Sequence, residues 1–128
     1  MPAYATEGAA GLDLRACLDA PIELAPGELA LVPTGLALAI PPGHVGLIRD
    51  RSSLAVAGLV CTAGVIDSDY RGEVMVALRN LGSSPFLIHH EDRIAQMLLL
   101  PCPQARVVEL SDLPATRRGV GGFGSTGR

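Results

Sequence analysis

Apolar residues along this chain come in short runs cut by proline and glycine. Leu29 and Leu31 alternate with smaller or polar neighbours, and Leu36, Leu38 and Ile40 do the same. A period of two is the signature of strands that cover a core with one face. Helices of ordinary length have no room between Pro26-Gly27, Pro33-Thr34-Gly35, Pro41-Pro42-Gly43 and Gly82-Ser83-Ser84-Pro85. Val45 to Ile48, Val74 to Leu78 and Ile94 to Leu100 read as further strands, the last so continuously apolar that burial on both faces is expected. One short helix fits at Ser53-Leu54-Ala55-Val56-Ala57, stopped by Gly58. The pattern predicts an all-β sandwich or jelly roll of short strands with at most one short helix. Met97-Leu98-Leu99-Leu100 supplies more apolar surface than a small sandwich needs, and the glycine-rich end has no local surface to fold on; an oligomer resolves both.

Composition sharpens this picture. At 128 residues, 48% hydrophobic and 18% charged, the chain makes one compact domain. With no Trp, two Phe and two Tyr, its core is built from Leu, Val, Ile and Ala. The net charge is −3 and the arginines are scattered except near the tail, which argues against a general nucleic-acid surface and leaves room for a nucleotide in a small pocket. Cys17, Cys61 and Cys102 are odd in number and lack metal-like spacing, so neither a disulfide framework nor a zinc site is expected, and a reducing cytoplasm is. No stretch approaches the roughly 20 apolar residues of a membrane span, and no basic start precedes an apolar segment; a soluble, unprocessed protein without a membrane partner is expected.

Five polar clusters carry the candidate chemistry. Gly64-Val65-Ile66-Asp67-Ser68-Asp69-Tyr70-Arg71-Gly72-Glu73 is the densest, lying between two apolar strands like a hairpin tip. In an extended chain Asp67 and Asp69 point to one face, where one of two crowded carboxylates can serve as a base; an Asx turn with an Asp69–Arg71 ion pair is the plainer alternative. Arg51-Ser52-Ser53 sits at a helix start, as a small anion site or an ordinary cap. Asp13 and Arg15 form a charge pair inside an apolar strand, and Gln96 needs a partner for its amide within another. His89-His90-Glu91-Asp92 reads as a solvated turn. The tail from Arg117 to Arg128 combines glycines, arginines, Ser125, Thr126 and a single aromatic, Phe123: a cradle for polyphosphate with a ring for a flat partner, or a low-complexity end.

Taken together and in order, AGLDLRA at 10 to 16, RSS at 51 to 53, GVIDSDYRGE at 64 to 73, RIAQM at 93 to 97 and RGVGGFGSTG at 118 to 127 resemble the trimeric dUTPase family, and the likeness runs nearly end to end. The resemblance implies a β-clip or jelly-roll fold, a homotrimer whose sites each draw on three chains, and Mg²⁺-assisted hydrolysis of dUTP to dUMP and pyrophosphate. It implies a jelly-roll domain over residues 1–116 and a flexible glycine-rich lid over 117–128. By motif, Asp67 would hold the 3′-hydroxyl and deprotonate the attacking water. Tyr70 would lie under the deoxyribose and exclude a ribose. Uracil would sit in a hairpin formed by Gly58 to Gly64, with Cys61, Gly64, Val65, Ile66 and Met75 among the substrate contacts. Arg51 and Gln96 would hold phosphate oxygens, Ser52, beside Ser53, would donate to the oxygen bridging the α- and β-phosphates, and Asp13 would bind Mg²⁺ through water. Arg118, Phe123, Gly124 and Ser125 would close over the nucleotide.

Departures from the family pattern are Cys61, where many relatives carry Asn; Asp50, where proline is usual and whose carboxylate is expected to point away from the phosphates; and Ser53, where glycine is common. An additional strand usually precedes the segment that here starts at Pro2-Ala3-Tyr4, and its lack is expected to bear on sheet edges and trimer packing. A dCTP deaminase, which shares the fold, needs a glutamate where register puts Ala77. The other alternative is a nucleotide-binding trimer without catalysis, against which the intact Asp67, Tyr70, Arg51 and Ser52 speak.

Overall fold

In the computed structural model, which describes residues 1–121, the regular secondary structure is almost wholly strand. In order come β1 (Leu12–Arg15), β2 (Ile22–Leu24), β3 (Leu29–Ala37), β4 (His44–Arg49), the single helix α1 (Ser52–Val56), β5 (Leu59–Cys61), β6 (Val65–Ile66), β7 (Glu73–Asn80), β8 (Phe86–Ile88) and β9 (Arg93–Pro101). A four-stranded sheet has the order β1-β9-β4-β6, a three-stranded sheet β3-β7-β5, and β2 pairs with β8. All the pairings are antiparallel. Inward side chains of all three sheets meet in one core that includes Leu14, Ile48 and Met97 from the first, Val32, Leu59, Val74 and Val76 from the second, and Leu24 and Ile88 from the third. Apolar area from every sheet is thus removed from water in one cluster, the main stabilising term for a fold with so little helix.

The all-β architecture follows the alternation, with three corrections. Pro33-Thr34-Gly35 does not divide two strands; β3 runs through it. Pro33 pairs with Met75 and Ala37 with Glu73, so Thr34, Gly35 and Leu36 bulge against Val74 alone. Side chains close the gap: Thr34 Oγ1 donates to the Val74 carbonyl at 2.7 Å, and the Gly35 N–H donates to Glu73 Oε1 at 2.7 Å. Leu38 and Ile40 lie beyond the end of the strand. Second, residues 64–73 are not a hairpin tip. β6 pairs with β4 and β7 with β3 and β5, so the segment crosses from one sheet to another. The same holds for 58–64, because β5 belongs to the sheet of β7 and β6 to that of β4. Third, β9 is not buried on both faces throughout: Ile94, Ala95 and Met97 are buried, but Leu99 and Leu100 are 40% and 38% exposed.

The exposed end of β9 extends an apolar strip. Ile48 and Met97 are paired and face the core, so Leu47 with Leu98 and Val45 with Leu100 face outward, and Val65 pairs with Leu47 beside them. Beyond Pro101 the described chain leaves the sheets and is exposed from Cys102 to Val120.

One buried polar side chain ties the far end of the fold. Asn80 is 1% exposed; its Nδ2 donates to the carbonyls of Leu24 and Ser84 at 2.9 and 2.8 Å, and its Oδ1 accepts the Gly82 N–H at 2.9 Å. It joins the end of β2 to the turn between β7 and β8. Asn80→Ala leaves those three backbone groups without partners and is expected to lower the unfolding free energy by about 3 kcal/mol, read by urea denaturation. A loss within ~0.5 kcal/mol, the range of ordinary surface changes, would show that the junction holds without it.

Candidate active site

Ten of the site residues foreseen from sequence, Asp13, Arg51, Ser52, Ser53, Val65, Ile66, Asp67, Tyr70, Met75 and Gln96, assemble in two separate clefts. The first, about 290 Å³, is lined by Ala5, Asp13, Arg51, Ser52, Ser53, Arg93 and Gln96. Asp13 lies opposite Gln96 in the β1–β9 pairing, which puts carboxylate and amide side by side on the outward face. A bulge adds the third member. Leu14 pairs with Ala95 and Arg15 with Arg93, so Ile94 is an extra residue and both Ile94 and Ala95 turn into the core. Arg93 is thereby returned to the face that carries Gln96, although a separation of three residues puts two side chains on opposite faces of a regular strand.

Charge pairing organises this cleft. Asp13 Oδ1 lies 3.4 Å from Arg51 Nε and Asp13 Oδ2 lies 3.2 Å from an Arg93 guanidinium nitrogen. Arg51 also donates to the Arg93 carbonyl at 3.1 Å. With Asp13 and Arg51 side chains only 18% and 23% exposed, the pair is less screened than a surface bridge. Arg51 occupies the N-cap position of α1 with extended backbone, and neither serine caps the helix through its side chain. Both hydroxyls thus line the cleft beside two guanidinium groups, an arrangement suited to phosphate oxygens. The Gln96 amide, which the sequence required to find a partner, donates to the Asp50 carbonyl at 2.8 Å.

The second cleft, about 190 Å³, is lined by Val65, Ile66, Asp67, Tyr70, Glu73 and Met75. Its polar wall is a turn closed by the Tyr70 N–H on the Asp67 carbonyl at 3.1 Å, so Asp67 and Asp69 do not alternate along an extended chain as the sequence suggested. Arg71 does not pair with Asp69 but donates to the carbonyls of Ser68 and Tyr70, both at 2.8 Å. Asp67 is exposed and makes no ion pair among the described residues. The Tyr70 hydroxyl donates to the Glu73 carbonyl at 3.0 Å, laying the ring across Gly72, where an added Cβ would collide with the hydroxyl and its ring carbon. The largest cavity, about 670 Å³, shares Val65 and Asp67 with this cleft and has Val45, His44, Asp69 and Cys102 among its other lining residues. Asp67 therefore stands where this cavity and the second cleft adjoin.

The two clefts have no lining residue in common. Cys61 and Gly64 line neither; the Gly64 carbonyl accepts the Ile48 N–H at 2.7 Å. Arg118 lies on a turn where its Nε donates to the Gly121 carbonyl at 3.1 Å, and it too lines neither cleft. Phe123, Gly124 and Ser125 lie outside the described residues. His89 to Asp92 form a turn, closed by the His89 N–H on Asp92 Oδ2 at 2.7 Å. Among the described residues no group of three or more His, Cys, Asp or Glu is placed to hold a metal, and no helix is long and apolar enough to cross a membrane. Sequence reasoning missed Arg93 as a member of the first cleft, and it missed the contact of Asp50 with Cys61. The signal for Arg93 lay in its motif, RIAQM, but only the bulge reveals its direction.

Asp50 points away from the phosphate-like cleft, as expected, and toward Cys61, whose N–H donates to Asp50 Oδ1. The Cys61 thiol is pushed up from 9.0 to about 12, chiefly by burial, then by its hydrogen bond to Asp50 and the charge of that carboxylate, with Arg49 opposing. A protonated thiol is a poor nucleophile, so an iodoacetamide time course at about pH 8 should modify exposed Cys17 and Cys102 well before Cys61. Because the unfolded thiol ionises first, its contribution to stability is complete below pH 9.0 and is lost as the pH rises toward about 12. Early labelling of Cys61, read by peptide mass, would contradict this environment.

Comparison with known proteins gives concordant results. A family model described as dUTPase matches residues 1–127. A deoxyuridine 5′-triphosphate nucleotidohydrolase of Desulfotalea psychrophila is 56% identical over 130 residues, covering 99% of this chain and 87% of the relative. One from Anaeromyxobacter sp. is 57% identical over 131 residues, covering 100% and 88%. Among solved structures, a Staphylococcus bacteriophage 80alpha dUTPase with dUPNHPP superposes with a TM-score of 0.92 at 25% identity, covering 100% of this chain and 92% of that one. A mutant dUTPase from phage phi11 of S. aureus, which coordinates a structural Mg(II) ion, superposes with a TM-score of 0.81 at 22% identity, covering 90% and 92%.

Proposed function

The chain belongs to the dUTPase family and is a dUTP diphosphatase, and from that premise we propose how its residues divide the hydrolysis of dUTP to dUMP and pyrophosphate. A water oxygen bonds to the α-phosphorus while the bond from that phosphorus to the α–β bridging oxygen breaks. Asp67 holds the 3′-hydroxyl and takes the proton of the water; its exposed, unpaired carboxylate at the mouth of a niche suits both tasks. Tyr70, fixed over Gly72, forms the floor under the sugar and leaves no space for a 2′-hydroxyl. Val65, Ile66 and Met75 wall the same niche, and the main chain of Gly58 to Gly64, which leads into it, reads uracil. In the other cleft Arg51 and Gln96 hold phosphate oxygens, and Ser52, with Ser53 beside it, donates to the bridging oxygen as charge develops there.

The observation that carries this reading is the division into two clefts with no shared residue. A complete site then needs the sugar niche of one chain against the phosphate cleft of another, and a homotrimer supplies it. The outward strip of Val45, Leu47, Leu98, Leu100 and Val65 supports such association, since burying it removes apolar surface that a lone chain exposes. Arg118, with Phe123, Gly124 and Ser125, closes a third chain's residues 117–128 over the nucleotide as a lid separate from the 1–116 domain.

Asp13 is the single carboxylate lining the phosphate cleft and both its oxygens face arginines, so the protein offers no cage for a metal. That fits Mg²⁺, which keeps its waters: Asp13 would hold it through water beside the triphosphate. When bound, the ion neutralises charge on the phosphates. The three free thiols accord with a cytoplasmic protein, and the reaction there limits uracil in DNA and supplies dUMP for dTMP synthesis. Nothing in the site favours deamination: Ala77 is a buried alanine of β7 and moves no proton.

Two experiments test the reading. Pyrophosphate release with Mg²⁺ should be far faster from dUTP than from dTTP or UTP, with no ammonia from dCTP. Asp67→Asn should lower kcat by about 10³-fold while dUTP still binds. A variant that keeps its turnover removes Asp67 from the chemistry. In the second, truncation at residue 116 should leave the fold and the solution mass of a trimer intact but cost about 10²-fold in activity, the scale of losing positioned donors. Full activity of the truncated protein sinks the lid, and a monomeric mass for an active protein sinks the shared site.

A further inference from the structure

Asp50 follows β4 directly, one residue ahead of Arg51, and makes polar contacts with two other parts of the chain. Its main-chain oxygen accepts from Gln96 Nε2 at 2.8 Å, and its Oδ1 accepts the Cys61 N–H at the end of β5. A carboxylate next to a first helical turn ordinarily turns to the unpartnered N–H groups there. This one turns away and leaves α1 without a side-chain cap. The neighbouring cation does not hold it either, because Arg51 is paired with Asp13. The Asp50 carboxylate is thus committed to β5, beside the half-buried Cys61 thiol.

The contact pins the first of three anchors along one short segment. After Cys61, the Thr62 N–H donates to the Ala77 carbonyl at 2.9 Å, and the Gly64 carbonyl accepts from the Ile48 N–H at 2.7 Å. Thr62 and Ala63 are exposed between these anchors. A segment that passes from one sheet to another has no continuous ladder to fix its course, so each anchor sets the direction of the main-chain groups beside it.

We propose that Asp50 is a positioning residue for base recognition: by holding the Cys61 N–H it fixes the path of residues 61–64 and thereby the main-chain edge that discriminates the pyrimidine. The inference rests on the reading of this segment as the uracil-binding one. Asp50 touches neither the phosphates nor the reacting water, so its loss separates base binding from the chemical step.

Steady-state kinetics on dUTP and dTTP, with amide hydrogen exchange at Cys61, test the proposal in the full-length protein, Asp50→Ala and Asp50→Asn. In the alanine variant KM for dUTP is expected to rise about tenfold with kcat within about twofold, the preference for dUTP over dTTP to narrow, and the Cys61 amide to exchange at least ~10-fold faster. Asparagine keeps an oxygen acceptor and should restore KM and amide protection. An unchanged KM in Asp50→Ala, a fall in kcat as large as the rise in KM, or an asparagine variant no better than alanine overturns the assignment. If the alanine variant does not fold, an unprotected Cys61 amide in the wild-type protein overturns it without any variant, and a protected one with a normal KM in Asp50→Asn upholds it. A wild-type protein that fails to release pyrophosphate from dUTP strikes the function itself, and the exchange measurement still reads the contact.

Discussion

One extra residue in β9 decides what the phosphate cleft contains. In an unbroken ladder Arg93 and Gln96 point to opposite faces, and one of them is lost to the core. The bulge at Ile94 and Ala95 sends two apolar neighbours inward in succession and brings Arg93 back beside Gln96 and Asp13. Two guanidinium groups then crowd one cleft, and Asp13 makes that tolerable by giving an oxygen to each. The same carboxylate keeps Arg51 oriented, which in the proposed reading reduces the rotamer freedom that phosphate binding would have to remove. The cleft is therefore pre-arranged by a backbone irregularity and by a charge balance that depends on it.

The sheets impose the second constraint. The phosphate cleft hangs on β1, β9 and the start of α1, whereas the sugar niche is built where the chain crosses from β6 to β7 between two sheets. Both supports pack into a common apolar core, so neither can swing across to complete the other. Rigid placement is what a hydrolytic site needs, because positioning accounts for much of the rate. That rigidity, with the outward apolar strip of β4 and β9, is the physical basis for reading the site as one shared among copies of the chain.

Much of this was legible in the sequence, and for a reason. Alternation of Leu29 with Leu31 marks a strand but not its buried face, since both leucines are exposed and Val32 beside them is buried. The dense apolar run of β9 and the short helix between Arg51 and Gly58 announced their elements by their own residues. Asp13, Arg51, Ser52, Asp67, Tyr70 and Gln96, which line the two clefts, were singled out because their motifs are compact. What stayed hidden depends on partners distant in sequence. The bulge of β3 at Pro33 to Leu36 exists only relative to Val74, and the crossing of residues 64–73 depends on which sheet each flank joins. Arg93 was invisible for the same cause, since alternation counts residues and cannot see a register shift.

Asp50 and Cys61 extend that lesson to the two positions at which the chain most departs from the pattern it resembles. Read singly, each looks like a defect: a carboxylate near a phosphate cleft, and a thiol where an amide is common. In the fold they meet, and each removes the other's difficulty. The Cys61 N–H holds the carboxylate away from the cleft of Asp13 and Arg51, while burial and that carboxylate keep the thiol neutral. A neutral thiol offers only weak hydrogen bonds, so discrimination of the base has to come from the main chain. Main-chain recognition is only as sharp as the path of the main chain is fixed. On a segment that crosses between sheets, the carboxylate of Asp50 is one of the few groups that fix it.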